Sequence, residues 1–181
     1  VASMTMTIAS TFLRSIGNFY QQASDIASAL NVFLCKNNVE ANFVTTLLGV
    51  INLETGMLQF SNAGHVPLII RKVDGSYKKY SDTHSTAVGV FEDITIGQEE
   101  VQLNPGDELI LFTDGITEAM NTQEEFLGIA GLEGIIKNLG LPNPKHDAIT
   151  ILDCVHSFAR NAKQHDDITI LVIDYKHPQR Y

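Results

Sequence analysis

Two short acidic motifs stand at the ends of apolar runs. Asp114-Gly115 closes the run Glu108-Leu109-Ile110-Leu111-Phe112-Thr113, and Asp166-Asp167 opens the run Ile168-Thr169-Ile170-Leu171-Val172-Ile173. A carboxylate at the rim of a buried strand is held rigidly yet stays open to solvent. Hard divalent cations need that arrangement, because Mg²⁺ or Mn²⁺ takes one or two fixed carboxylates and otherwise keeps its waters. The same Asp-Gly pair also reads as a simple turn after a strand.

The residues around the aspartates narrow the reading. The chain carries three strings, Asn62-Ala63-Gly64-His65-Val66-Pro67, Phe112-Thr113-Asp114-Gly115-Ile116-Thr117-Glu118-Ala119 and His165-Asp166-Asp167-Ile168-Thr169. They resemble signature segments of the bacterial stage-II-sporulation-E-like branch of the metal-dependent PP2C (PPM) protein serine/threonine phosphatases. The resemblance runs from about residue 2 to residue 176. It implies a four-layer α-β-β-α sandwich of two antiparallel sheets with metals at one end. It implies that Asp114 and Asp166 bind the same metal, with Asp167 supporting the water shell or capping its strand.

Other residues near these motifs carry open alternatives. Gly115 is expected to give Asp114 room to point at the metal. His65 is taken with Asp114 and Asp166 as a catalytic candidate, its other reading being an imidazole that locks a turn by bonding to backbone. Glu118 either caps the turn or helps hold Mg²⁺ waters. His165 reads as exposed, and His84, in a polar loop, receives no role.

Those motifs need elements to hold them. Residues 3–16 read as a helix with Ile8, Ala9, Phe12 and Ile16 on one face, and residues 23–36 as a second with Ile26, Leu30, Phe33 and Leu34 inward. Residues 43–52 are apolar on both faces, as in a strand covered on both sides. A strand at 57–62 runs into Asn62-Ala63-Gly64-His65. Strands at 67–73 and 76–80 are joined by Asp74-Gly75, a strong hairpin signal. After a loop at 81–93, strands near 95–103 and 108–113 flank the Asn104-Pro105-Gly106-Asp107 turn. Helices follow near 129–139 and 147–161, the second with Ala148, Leu152, Val155 and Ala159 on one side, and the last strand is 167–175. This order is α+β, not alternating βαβ units.

Composition bounds the function. A chain of 181 residues fits one domain with a sizeable core, here the PP2C-like domain 1–181, and 44% apolar residues mark it as globular. The net charge of −9 argues against nucleic acid as a partner, which needs clustered Lys and Arg. The basic pairs Arg71-Lys72 and Lys78-Lys79 read as the solvent face of one hairpin. No apolar run is long enough to span a membrane, so no direct membrane contact is expected. Two cysteines, Cys35 and Cys154, make no disulfide framework, and Val1-Ala2-Ser3-Met4 lacks the regions of a signal peptide. A cytoplasmic setting follows as the simpler expectation.

One departure from the family pattern stands out. Complete members carry, before the first helix, two strands with a Gly-Asp-Val-x-Gly-His-Gly-like segment that supplies the bridging aspartate. This chain starts at what reads as that helix, so the catalytic hairpin is taken as missing. The isolated chain is then expected to be weakly active or inactive, and to self-associate through an open sheet edge. Lys176-His177-Pro178 fits a chain end. A smaller departure is Ser85-Thr86-Ala87-Val88-Gly89-Val90, where the family has a Gly-x-Pro-Leu-Gly-like string.

By resemblance, the function expected is metal-dependent hydrolysis of phosphoserine or phosphothreonine, with Mn²⁺ or Mg²⁺ in a two-metal site of the complete domain. The substrate partner would be a phosphorylated anti-sigma-factor antagonist or a similar small regulatory protein. The competing reading is a non-catalytic PP2C-like module that docks a phosphorylated partner. A small-molecule phosphohydrolase is a third.

Overall fold

The hairpin at Asp74-Gly75 forms as its residues require. Gly75 takes φ +85°, and the Asp74 carboxylate accepts from the Ser76 N–H and hydroxyl. In the computed structural model, which describes residues 2–37, 43–160, 162–164 and 166–176, it joins strands β3 (Leu68–Arg71) and β4 (Tyr77–Tyr80). The expectations placed on His165, His177 and Pro178 lie outside the described residues.

The chain divides into two units, one of Val1–His65 with Asp82–Gln102 and the other of Val66–Ser81 with Leu103–Tyr181. Both are mixed α and β, and each contains one antiparallel sheet.

The first unit holds helices α1 (Ala2–Ile16) and α2 (Ala23–Asn37) and strands β1 (Thr46–Ile51), β2 (Met57–Ala63) and β5 (Glu99–Gln102). The sheet order is β1-β2-β5, with Thr46 opposite Ala63 and Leu58 opposite Val101. Its core comprises Ala9, Ala27, Leu30, Leu34, Val44, Ala63, Val88 and Ile96, beside which Phe12 stacks on Phe33 at 4.0 Å. Small residues on α2 let the helix approach the sheet closely, and the apolar burial supplies most of the stabilisation. Ile8 is 38% exposed, so the inward face of α1 is carried by Ala9 with half-buried Phe12 and Ile16. On α2 the buried face is Ala23, Ala27, Leu30, Asn31 and Leu34, leaving Ile26 and Phe33 half-buried.

The strand expected to be covered on both faces is instead the half-buried edge of its sheet, with Gly49 exposed. The loop at 81–93 has no strand, yet it is firmly placed. Val44 and Val88 exchange both backbone hydrogen bonds at 2.9 and 3.0 Å. The Asn31 side chain donates to the carbonyls of Phe91 and Glu92 and accepts from Gly89 N–H. A buried amide with its partners satisfied in this way ties the loop to α2.

The second unit has strands β4-β3-β6-β7 in that order, with β6 spanning Glu108–Phe112 and β7 spanning Ile170–Asp174. Ile69 lies opposite Ile110, and Phe112 opposite Ile170. Helices α3 (Asp114–Thr117), α4 (Gly128–Lys137) and α5 (Pro144–Ala159) complete it. Its core includes Ile69, Ile110, Phe112, Ile116, Leu132, Ile136, Ile151 and Val155. Helix α5 starts earlier than its apolar period suggests, because Asn143 caps it by accepting from His146 N–H and Pro144 occupies the first turn. Its buried face is Asp147, Ile151 and Val155, with Ala148, Leu152 and Ala159 half-buried.

The turn Asn104–Asp107 forms, with Gly106 at φ +90° and Asp107 N–H bonded to Asn104 C=O at 2.9 Å. It does not close a hairpin. Strand β5 pairs with β2, whereas β6 pairs with β3 and β7. The period of a strand shows that it pairs, not with which partner.

The reading of Arg71-Lys72 and Lys78-Lys79 as one solvent face is corrected. Arg71 is fully buried. Its Nη1 donates to Glu108 Oε2 at 3.0 Å and to Asp147 Oδ2 at 2.8 Å, and its Nη2 donates to the carbonyls of Leu139 and Gly140. Lys72 pairs with the buried Asp107 at 2.7 Å, and Lys79 with Glu133 at 2.6 Å. Burial pushes the Glu108 carboxyl up to about 7, and the neighbouring Asp147 charge adds to the rise against the pull of Arg71. The network thus joins β3, β6, the segment after α4 and the start of α5. Among the described residues, no helix is long and apolar enough to cross a membrane.

Candidate active site

The β6–β7 pair ends at Phe112 and Ile170, and the two aspartate motifs leave it at the same end. Three bonds continue the pairing past the ladder. Thr113 N–H donates to Thr169 C=O at 3.1 Å, Thr169 N–H donates to the Thr113 hydroxyl at 3.0 Å, and that hydroxyl donates to Asp167 C=O at 3.0 Å. Thr113 stands at the N-cap of α3 but makes no side-chain cap bond there. Its hydroxyl is used instead to fasten one motif to the other.

Gly115 is required by that closeness. A Cβ at this position would lie 2.4 Å from Asp167 C=O, inside any tolerable contact. The glycine therefore makes room for the backbone of the second motif, a constraint that does not depend on where Asp114 points. The residues from Asp114 form a single helical turn, not a β-turn. Glu118 N–H and the Thr117 hydroxyl both bond to Asp114 C=O, at 2.7 and 3.1 Å, and Ile116 packs into the core.

The two carboxylates are held alike. Asp114 Oδ1 accepts from Gly115 N–H at 3.0 Å, and Asp166 Oδ1 accepts from Asp167 N–H at 2.7 Å. One oxygen of each is thereby oriented by backbone, and both residues are exposed. Gln164 Nε2 donates to Asp166 C=O at 2.8 Å and steadies the second turn. A cleft of about 180 Å³ opens beside Asp166, with Gly115, Glu118 and Ile168 also among its walls. Glu118, an exposed residue, contributes its N–H to the turn and lines this cleft.

Each carboxylate keeps one oxygen clear of these backbone bonds, and oxygen donors of this kind suit a hard divalent cation that keeps several waters. Among the described residues, no group of three or more His, Cys, Asp or Glu is gathered in a way that could hold a metal ion.

His65 belongs to the first unit, at the end of β2. Its turn is locked by Asn62, whose Oδ1 accepts from His65 N–H at 2.8 Å and whose Nδ2 donates to His65 C=O at 3.1 Å. The imidazole itself meets Thr45, with Nδ1 3.3 Å from the hydroxyl. Gly64 takes φ +73° against Ala87, which no other residue would adopt comfortably. His84, left without a role by its polar context, is structural. Its Nδ1 accepts from Asn62 N–H at 3.0 Å, and its ring packs edge-on to Phe60 at 5.6 Å. Nothing in the local sequence pairs His84 with Asn62, so only the folded chain reveals it.

The family model described as stage II sporulation protein E (SpoIIE) matches residues 1–176. The chain belongs to the SpoIIE family. The phosphoserine phosphatase RsbU of Bacillus subtilis (strain 168) is 23% identical over 176 residues, covering 97% of this chain and 52% of RsbU. A solved structure of the PP2C phosphatase domain of SpoIIE from Bacillus subtilis, with a fragment of its regulatory domain, superposes with a TM-score of 0.77 at 21% identity. It covers 97% of this chain and 50% of that one. RsbX in complex with magnesium superposes with a TM-score of 0.68 at 13% identity, covering 94% of this chain and 72% of that one. The chain thus spans about half the length of RsbU and of the SpoIIE structure. The shared fold is that of PP2C phosphatase domains, with mixed α and β structure and two antiparallel sheets.

Proposed function

We propose that residues 1–181 belong to a metal-dependent protein serine/threonine phosphatase domain that hydrolyses phosphoserine or phosphothreonine on a small regulatory protein, this stretch by itself being weakly active or inactive. An anti-sigma-factor antagonist in a bacterial partner-switching pathway fits that description. The observation carrying this reading is the joining of the Asp114 and Asp166 motifs at one end of the β6–β7 pair, within a SpoIIE-family chain. RsbU, by name a phosphoserine phosphatase, and RsbX, solved with magnesium, support the reaction class and the metal class.

Asp114 and Asp166 would hold Mg²⁺ or Mn²⁺, each through the oxygen not bonded to backbone. When bound there, the ion would supply an activated water and neutralise charge on the phosphoryl oxygens. The chain's own task is geometric. Thr113 and Gly115 keep the two aspartate turns in contact, so neither carboxylate must be reordered when the ion arrives. Glu118 places a further carboxylate at the cleft, suited to accept hydrogen bonds from the ion's waters. His65 is proposed as a further member of the catalytic set, presented by the Asn62-locked turn.

The test is phosphate release from a phosphoserine protein by the full-length protein, with Mn²⁺ or Mg²⁺ titrated. Asp114→Asn should lower turnover at limiting metal by a factor of about a hundred or more, since removing a ligand charge leaves the ion weakly held. Unchanged turnover in that variant would refute the assignment. If no release occurs while phosphoprotein binding persists, the alternative of a non-catalytic docking module is correct.

A further inference from the structure

The cleft beside Asp166 has a second wall of opposite charge. His156 in the last turn of α5, Arg160 at its C-cap and Lys163 just beyond line the same space as Glu118 and Asp166. With 12 Lys and Arg against 21 Asp and Glu, cations are the scarcer charge in this chain, and two of them meet at this cleft. Neither takes part in an ion pair among the described residues.

Arg160 also holds a backbone conformation that argues for its side chain. It closes α5 at φ +49° and ψ −113°, with its N–H on His156 C=O at 2.8 Å. That region favours glycine, and a side-chain-bearing residue there carries about 1–3 kcal/mol of strain. For the turn alone, glycine would serve better. Glu124, also at positive φ, sits in an exposed turn whose N–H groups are taken up by the Asn121 side chain, so its setting is locally supported. At Arg160 the bond seen among the described residues is the helix-closing one, which glycine would make equally well.

We propose that this cleft receives a phosphoryl group, with Arg160 and Lys163 as its cationic contacts. The planar guanidinium presents parallel N–H donors that match two phosphoryl oxygens, and Lys163 adds a point charge. This rests on the phosphatase reading, in which Asp166 holds a cation on the facing wall, and it names the protein groups that bind the ester's charge. The phosphoryl group could come from a phosphoserine side chain or from free inorganic phosphate, and both share the chemistry of the site.

The experiment measures binding, not turnover, in the full-length protein with Mg²⁺ present. Three probes are compared by calorimetry: a peptide bearing a non-hydrolysable phosphonate analogue of phosphoserine, its unmodified serine twin, and inorganic phosphate. The phosphonate peptide should bind and the serine twin should not. Binding of inorganic phosphate as tight as that of the phosphonate peptide would support the site while assigning it to the free ion. Arg160→Ala should weaken phosphonate binding by about tenfold to a hundredfold, as loss of a charge-assisted hydrogen bond does. Arg160→Lys should recover part of that loss. Arg160→Gly should raise the melting temperature by relieving the backbone while still weakening binding, a combination that a purely structural arginine would not produce. Phosphonate binding unchanged in both Arg160→Ala and Lys163→Ala would overturn the proposal. Arg160-dependent binding without any phosphate release would leave it standing and remove the catalytic reading. Phosphate release with an unchanged KM in Arg160→Ala would do the reverse.

Discussion

Arg71→Met is the most informative perturbation of the fold that carries the site. The substitution keeps the bulk of a long side chain but removes both Nη groups. Glu108 and Asp147, each fully buried, then face one another without their shared cation. Removing one partner of a buried ion pair costs about 3–5 kcal/mol, because a charge is left uncompensated in a poor solvent. The carbonyls of Leu139 and Gly140 add little, since Gly140 is exposed and water can replace the guanidinium there. Against a total stability of about 5–15 kcal/mol, this loss removes much of the margin. It also depends on pH. With Arg71 gone, Glu108 loses the cation that favours its ionised form, so its carboxyl rises further in the folded state. The added destabilisation therefore grows as pH rises above about 7, by up to about 1.4 kcal/mol per pH unit. Urea unfolding followed by circular dichroism at about pH 8.5 and about pH 6 reads both effects. The triple variant Arg71→Met, Glu108→Gln, Asp147→Asn should be less destabilised at the higher pH than Arg71→Met alone. A loss below about 1 kcal/mol at both pH values would mean the network is worth no more than a surface ion pair, and the reasoning would be wrong.

Two further predictions concern the same unit. The Glu108 carboxyl, raised from 4.5 to about 7, holds a proton in the folded state that the unfolded chain has already released. Stability should fall as pH rises from about 4.5 to about 7, by at most about 3 kcal/mol, and level off above; Glu108→Gln should remove this slope in urea titrations across that window. Asp74 and Glu133, both lowered by hydrogen bonds, contribute the opposite slope only at more acidic pH and do not mask it. Gly115→Ala forces a methyl into the Asp167 carbonyl and should cost about 1–3 kcal/mol while loosening Mn²⁺ binding, read by thermal melting and by calorimetry with the metal. A variant that melts and binds Mn²⁺ as the original does would show that the two turns can part freely.

Local rules read a good deal of this protein directly from its residues. Asp74-Gly75 specifies a tight hairpin because only a few residues adopt its backbone angles, and the hairpin is there. The aspartate motifs announce their places at strand ends because β6 and β7 are apolar runs bounded by polar residues. What the chain could not state locally was decided by partners distant in sequence. Strands β5 and β6 flank one turn yet join different sheets, since pairing depends on which faces must be buried together. Arg71, read as a surface cation, is buried because two carboxylates from β6 and α5 and two carbonyls beyond α4 converge on it. A charge enters a core only where the fold gathers its counter-charges, and no window of neighbouring residues contains them. Gly115 shows the same division. Its presence after Asp114 suggests a turn, but the reason no other residue serves is the carbonyl of Asp167, brought against it by the β6–β7 register.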